Sequence, residues 1–227
     1  MGKYPSPVNI NHFCSECDNE RMPMSADNSP APLSQPLRRI HAAAMKLFAE
    51  RGVTRVSISE LAAAAGMARG TIYSHVSDVD TLFEDVAAQL AREMSHRVAS
   101  GFDEISDPAQ RLAIGVRQYI RRAHEEPQWG RFMSRFGLSH ALMQAVLSSE
   151  PLADLAAGVE SGRYRITGEQ LPAMVCVLAG GTLAAMVTVL DGRATWRDVG
   201  SDTAELMLIG LGLSREEARE IARSELA

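Results

Sequence analysis

SISELAAAAGMARGTIYSHV, running from Ser57 to Val76, reads as two short helices with a tight break between them. Ser57 followed three residues on by Glu60 is a capping box, so a helix is predicted from Ile58. Leu61, Ala62 and Ala65 then share one face, and Gly66 is the residue most readily bent into a left-handed turn. Beyond it Met67 fills the angle between the helices, while Arg69, Gly70, Thr71, Tyr73, Ser74 and His75 follow in one donor-rich helix. Ile72 and Val76, four apart, point back to a core. A helix with few apolar and many hydrogen-bonding positions needs a partner surface, and the major groove of DNA fits it. The layout is that of a helix-turn-helix reader.

On the N-terminal side a helix is predicted from about Pro36 to Arg51, closed by Gly52. Leu37, Ile40, Ala44, Leu47 and Phe48 form its core stripe, with Arg38, Arg39 and Lys46 outside it. Two readings of those cations stand: a solvated face, or contact of Arg38 or Arg39 with backbone phosphates. Between Pro36 and Ser77 six basic residues stand against Glu50 and Glu60, a local +4 in a chain of net charge −5, so the rest carries −9. A basic end on an acidic body suits a protein that presents one face to phosphates. Residues 1–33 hold five prolines and many Asn and Ser residues without helical periodicity. They are expected to be a disordered tail, or to precede a true start at Met22 or Met24. Within them His12, Cys14 and Cys17 form H-x-C-x-x-C, but no fourth ligand follows at the usual spacing and no metal site is assigned.

From about Leu37 to Val86 the chain resembles the N-terminal domain of the tetracycline-repressor (TetR) family of bacterial regulators. The likeness is carried by Ala43–Phe48 with Gly52, Leu61-Ala62, Ala65-Gly66, Gly70-Thr71-Ile72-Tyr73 with His75, and Leu82-Phe83. Three positions depart from the family pattern. Ala68 stands where a Ser commonly caps the recognition helix, Val76 where a Phe is usual, and Val79 where a Lys often meets a phosphate. The resemblance implies a homodimer whose two recognition helices enter successive major grooves of a pseudo-palindromic operator, and geometry asks for about 34–36 Å between them. On that reading Arg69, Thr71, Ser74 and Ser59 are candidates for base edges or nearby phosphates. Ser57, Gly70 through its N–H, Tyr73, His75 and Arg39 are candidates for phosphate contacts.

After residue 36 Gly and Pro are sparse, Ala, Leu, Met and Arg dominate, and no alternating run of strand length occurs, so the fold class is all-α. A tail over 1–33, a helix-turn-helix domain over 34–80 and a helical ligand-binding and dimerisation domain over 81–227 are expected. Ser77 and Asp80 form a box-like cap for a long helix from about Asp78 to Gly101, a mechanical link between the two domains. Asp107-Pro108 opens a helix to about Glu126, Pro127 a segment rich in aromatic and Met residues, and Pro151 a helix to about Ser161. Gly168 to Leu190 is the most apolar helix, long enough for a membrane span. Glu169, Pro172 and Asp191 at its ends favour a buried helix instead, with Cys176 an inert core thiol. Its Gly180-Gly181 and Ala184-Ala185 pairs allow close helix approach. A second apolar helix is predicted from about Val199 to Gly212, and a last one capped by Ser214 with Glu217. The LGLS-x-x-x-A ending that holds this cap also resembles the C-terminal end of many regulators of the same family. Two adjacent apolar helices need more cover than one small domain supplies, and a symmetric four-helix interface would provide it.

The aromatic and Met residues also carry two readings. They fill a core, or Tyr119, Trp129, Phe132, Met133, Phe136, Met174 and Met186 wall a pocket for a small apolar effector that Arg117 can meet. The functional expectation is a ligand-responsive DNA-binding regulator, a repressor released by that effector, acting in the cytoplasm without a cofactor or a membrane partner. Three cysteines in that compartment are expected to be reduced. An enzyme would have to use His124 or His140 with Ser139 and Glu125 or Glu126, and no nucleophile elbow or metal spacing supports it. A helical protein that kept the fold and lost DNA binding is the other alternative, motivated by Ala68 and Val79.

Overall fold

Local capping chemistry sets where the helices begin and end in the computed structural model, which describes residues 33–102, 105–140, 142–143 and 150–226. His12, Cys14 and Cys17, and the tail expected over 1–33 apart from its last residue, lie outside the described residues. Helix α1 (Gln35–Arg51) starts at Ser34, whose hydroxyl accepts from the Leu37 N–H, and ends at Gly52 with φ +69°. Helix α2 (Ile58–Ala65) carries the full capping box between Ser57 and Glu60 and stops at Gly66 with φ +62°. Helix α3 (Arg69–Tyr73) follows at once. Ile40, Ala44 and Phe48 meet Leu61, Ala62 and Ile72 in a closed core beneath these three helices.

The remaining described helices are α4 (Leu82–Ala99), α5 (Pro108–Glu125), α6 (Pro127–Phe136), α7 (Glu150–Glu160), α8 (Leu171–Leu190), α9 (Trp196–Gly210) and α10 (Arg215–Arg223). Among the described residues every regular element is helical. Helix α5 is the hub, packed against α6, α7, α8, α9 and α10. Its start is fixed by Asp107, which accepts from the Ala109 N–H and grips Arg163 through both carboxylate oxygens at 2.9 and 2.8 Å. The Arg163 guanidinium holds the Asp107 carboxyl below the usual carboxylate range.

Three expectations change. Helix α4 begins at Leu82 rather than Asp78, because the Asp78 carboxylate accepts from the Asp80 N–H at 2.8 Å and the Thr81 hydroxyl donates to the Asp78 carbonyl. Such local side-chain bonds compete with helix. Helix α3 ends at Tyr73, since the Ser74 hydroxyl turns back to the Thr71 carbonyl at 2.9 Å. The third change concerns α8. Only 22% of its most apolar stretch is buried within the chain. Leu171, Thr182, Ala185, Met186 and Val189 are buried, while Val177 and Val187 are exposed. The expected buried helix is therefore covered on one side only, and Cys176 is an exposed thiol rather than a core one. The small-residue pairs divide accordingly. A Cβ at Gly181 would stand 2.8 Å from Met207 Cε of α9, whereas one at Gly180 would meet nothing.

Candidate nucleic-acid interface and effector cavity

The exposed face of α2 and α3 presents Ser59, Arg69, Gly70, Tyr73, Ser74 and His75, with Thr71 half-buried among them. Tyr73 is 66% exposed. Ala68 has extended N-cap dihedrals and no side-chain cap, as its side chain dictates. A Cβ at Gly70 would meet no atom within 4 Å, so packing inside this chain places no demand for glycine there. Several sequence candidates have partners within the chain. Ser57 is engaged with Glu60 in both directions. His75 Nδ1 lies 2.9 Å from the Thr71 carbonyl and 3.0 Å from the Ser74 hydroxyl. Arg39 Nη2 donates to the Ala65 carbonyl at 2.9 Å and so closes the C-terminus of α2. Of the departures from the family pattern, Val79 packs against the core and Val76 is buried.

Helix α6 joins this reading unit to the rest. Phe83 of α4 touches Phe48 of α1 at 5.4 Å between ring centroids, Phe136 at 5.1 Å and Phe132 at 5.8 Å. Arg135 Nη1 donates to the Ala49 carbonyl at 2.8 Å, capping the C-terminal turn of α1, and its guanidinium lies against Gly52. No sequence signal distinguished Arg135, because its partners sit some eighty positions away.

A pocket of about 150 Å³ opens between α5, α6, α7 and α8. Of the predicted effector residues, Tyr119 and Met133 line it. Trp129 stands one layer behind, its ring 5.9 Å from Tyr119 and 4.6 Å from the Arg122 guanidinium. Phe132 and Met186 are fully buried core, and Phe136 belongs to the aromatic contact with α4. Met174 Cε approaches Gly210 of α9 instead. Arg117 points away as well, donating to the Ser224 carbonyl at 2.8 Å. Helix geometry explains it: Arg111, Leu112, Gly115, Val116 and Tyr119 share the pocket face of α5, and residue 117 lies roughly 200° around the axis from 119.

The polar groups on the pocket wall that sequence reasoning missed are Arg111, Asp154 and Thr182. Asp154 within the apolar run of α7 was the signal available. Burial pushes the Tyr119 phenol up to about 12. Behind the pocket Arg122 is buried and bridges Glu93 of α4 and Glu126, each at 3.1 Å. Glu125 pairs with Arg97 and Arg121. The acids named for a catalytic reading are thus bound in ion pairs, and His124 and His140 are exposed.

A helix-turn-helix unit wired to a helical body that carries a pocket defines the class of one-component bacterial regulators. Two profiles match: "Bacterial regulatory proteins, tetR family" over residues 40–86, and "Tetracyclin repressor-like, C-terminal domain" over residues 107–224. The chain belongs to the tetracycline-repressor (TetR) family. It is similar to RolR, solved with its ligand resorcinol, at 30% identity and TM-score 0.63, covering 85% of this chain and 95% of RolR. The fatty acid degradation regulator FadR from Bacillus halodurans shares the fold at 17% identity and TM-score 0.66, over 81% of this chain and 100% of FadR. An uncharacterised HTH-type transcriptional regulator of Mycobacterium tuberculosis is 26% identical over 89 residues, 39% of this chain and 44% of that protein. The match thus spans less than half the length of that curated relative.

Proposed function

We propose that this chain is a ligand-responsive transcriptional repressor that binds a pseudo-palindromic operator as a homodimer in the cytoplasm and leaves it when a compact effector occupies the α5–α8 pocket. The observation that carries this reading is the double engagement of α6. Met133 and Gly137 lie on the pocket wall, while Phe132, Phe136 and Arg135 grip α4 and α1. Whatever reshapes the pocket therefore acts on the helices that carry the reader. An effector lowers DNA affinity only to the extent that it prefers the conformer in which the two readers are mis-spaced.

Arg69, Thr71 and Tyr73 are the reader side chains with the best claim to DNA. They lie on the outer face, with Tyr73 and Arg69 exposed. The Gly70 position leaves room for a phosphate to approach the backbone. Ser57, Ser74, His75 and Arg39 act by shaping this surface as well as by touching DNA, given their bonds within the chain. For the dimer, the exposed Val177 and Val187 of α8 and the exposed Leu206 of α9, two helices that pack together, support an isologous four-helix contact. A pocket of this volume accepts about one six-membered ring, and the resorcinol held by RolR is of that size.

The test is a fluorescence-anisotropy titration of the full chain against DNA upstream of its own gene, over a range of salt concentrations. Affinity is expected to fall steeply with salt through counterion release. Tyr73→Ala is expected to bind more weakly with an unchanged thermal midpoint. A folded protein with no preference for that DNA over random duplex would leave the reading in which the fold is kept and DNA binding lost.

A further inference from the structure

The pocket is apolar on most of its wall, with Leu112, Val116, Leu178 and Leu183 facing it, but one end is not. There Arg111 of α5 meets Asp154 of α7, with Nε 3.1 Å from Oδ2. The guanidinium carbon lies over the Phe102 ring, 4.4 Å from its centroid. Its Nε–H is buried, and the approach to Asp154 leaves it without a formed hydrogen bond. The pair is thus charge-neutral as a unit and held by Phe102, with the Arg111 Nε–H lacking a formed hydrogen bond. Thr182 adds a second polar point. Among the described residues its hydroxyl has no hydrogen-bond partner, whereas Thr188 on the same helix bonds back to the Ala184 carbonyl at 3.0 Å. Tyr119 adds a phenol that burial keeps protonated.

Resting on the effector pocket proposed above, we infer that Arg111 and Asp154 form a mixed donor–acceptor clasp that selects a neutral, hydroxyl-bearing single-ring effector, a phenol or dihydroxybenzene, over ring carboxylates and bare hydrocarbons. The chemistry follows from the two partners. A ring hydroxyl accepts from the Arg111 guanidinium through its oxygen and donates to the Asp154 carboxylate through its proton, so the clasp stays paired while it holds the ligand. A ring carboxylate satisfies Arg111 but sets a second anion against Asp154, a like-charge contact in a poorly solvated site. A bare hydrocarbon fills the apolar walls and leaves the Arg111 N–H unbonded, which forfeits the hydrogen bond that separates close analogues.

Isothermal calorimetry on the full chain with three probes of one ring size, resorcinol, toluene and benzoate, tests this. The wild type is expected to bind resorcinol at least about tenfold more tightly than toluene and to reject benzoate. Asp154→Asn removes the acceptor anion and leaves Arg111 uncompensated. Its expected signature is a gain of benzoate binding with weaker resorcinol binding, which loss of structure alone would not produce. Arg111→Gln, the second variant, is expected to bring resorcinol down to the level of toluene with toluene unaltered. Equal wild-type affinity for resorcinol and toluene, or both variants binding all three probes as the wild type does, overturns the clasp and leaves the effector pocket standing. Failure of every probe to bind the folded wild type overturns the clasp and the pocket reading together, while operator binding in the anisotropy assay would still stand.

Discussion

Ala68 opens the reader helix in extended N-cap backbone, φ −69° and ψ 147°, but supplies no acceptor for the first free N–H groups. Because the backbone is already in cap geometry, Ala68→Ser is expected to stabilise the protein by about 1 kcal/mol, read as a raised thermal midpoint. An unchanged or lowered midpoint would mean that the new hydroxyl finds no N–H to cap. His41 on α1 makes a second single-residue case. Its Nδ1 is buried without a hydrogen bond among the described residues. Burial pushes its pKa below the ordinary 6.5, with Arg92 acting in the same direction and Asp85 and Glu93 opposing. A depressed imidazole pKa means that the unfolded chain takes up the proton more readily, so stability falls as pH drops below 6.5 toward the folded-state value. His41→Leu is expected to flatten that slope, seen by comparing thermal midpoints of the two proteins at about pH 7.5 and about pH 5.

At the scale of elements, α6 does two jobs with its two sides, and the two are separable by mutation. Phe132 is fully buried between α4 and the body. Phe132→Ala should destabilise by roughly 3–5 kcal/mol, measured by urea unfolding. Arg135 is exposed apart from its bond to the α1 carbonyl, so Arg135→Ala should cost about 1 kcal/mol or less. Its larger effect is expected on function. Operator affinity without effector is retained, while the loss of affinity on adding effector shrinks, because one of the ties from α6 to α1 is cut. Full effector response in Arg135→Ala would assign the coupling to the aromatic contacts of Phe83 alone. The same element logic explains why Arg117, the basic residue expected there from the sequence, does not line this pocket. Arg117 and Arg111 are both on α5, but the 100° step per residue sends only Arg111 to the pocket face.

For the whole molecule, α8 and α9 leave large apolar side chains uncovered within the chain. Val177 and Val187 of α8 and Leu206 of α9 stand exposed on consecutive helices that pack together. Leu206→Glu and Val177→Glu are expected to convert a dimer into a monomer or an aggregate in sedimentation velocity, whereas a charge at Ala185 would simply damage the interior, since Ala185 is buried within the chain. A wild type that sediments as a stable monomer would remove the four-helix interface, and with it the two-groove geometry.

The sequence alone determined the helical class, the caps at Ser57, Asp107 and Ser214, the left-handed turns at Gly52 and Gly66, and the outward face of the reader. These are decided by side chains reaching three or four positions along the chain, and such contacts are written in order in the residues themselves. Tertiary structure decided the rest: that Phe132 is core and Tyr119 pocket, that Arg135 caps α1, that Asp154 meets Arg111, and that Cys176 is exposed. Each depends on which helix lies against which, a choice fixed by the summed burial of many side chains, and no local pattern around one residue records it.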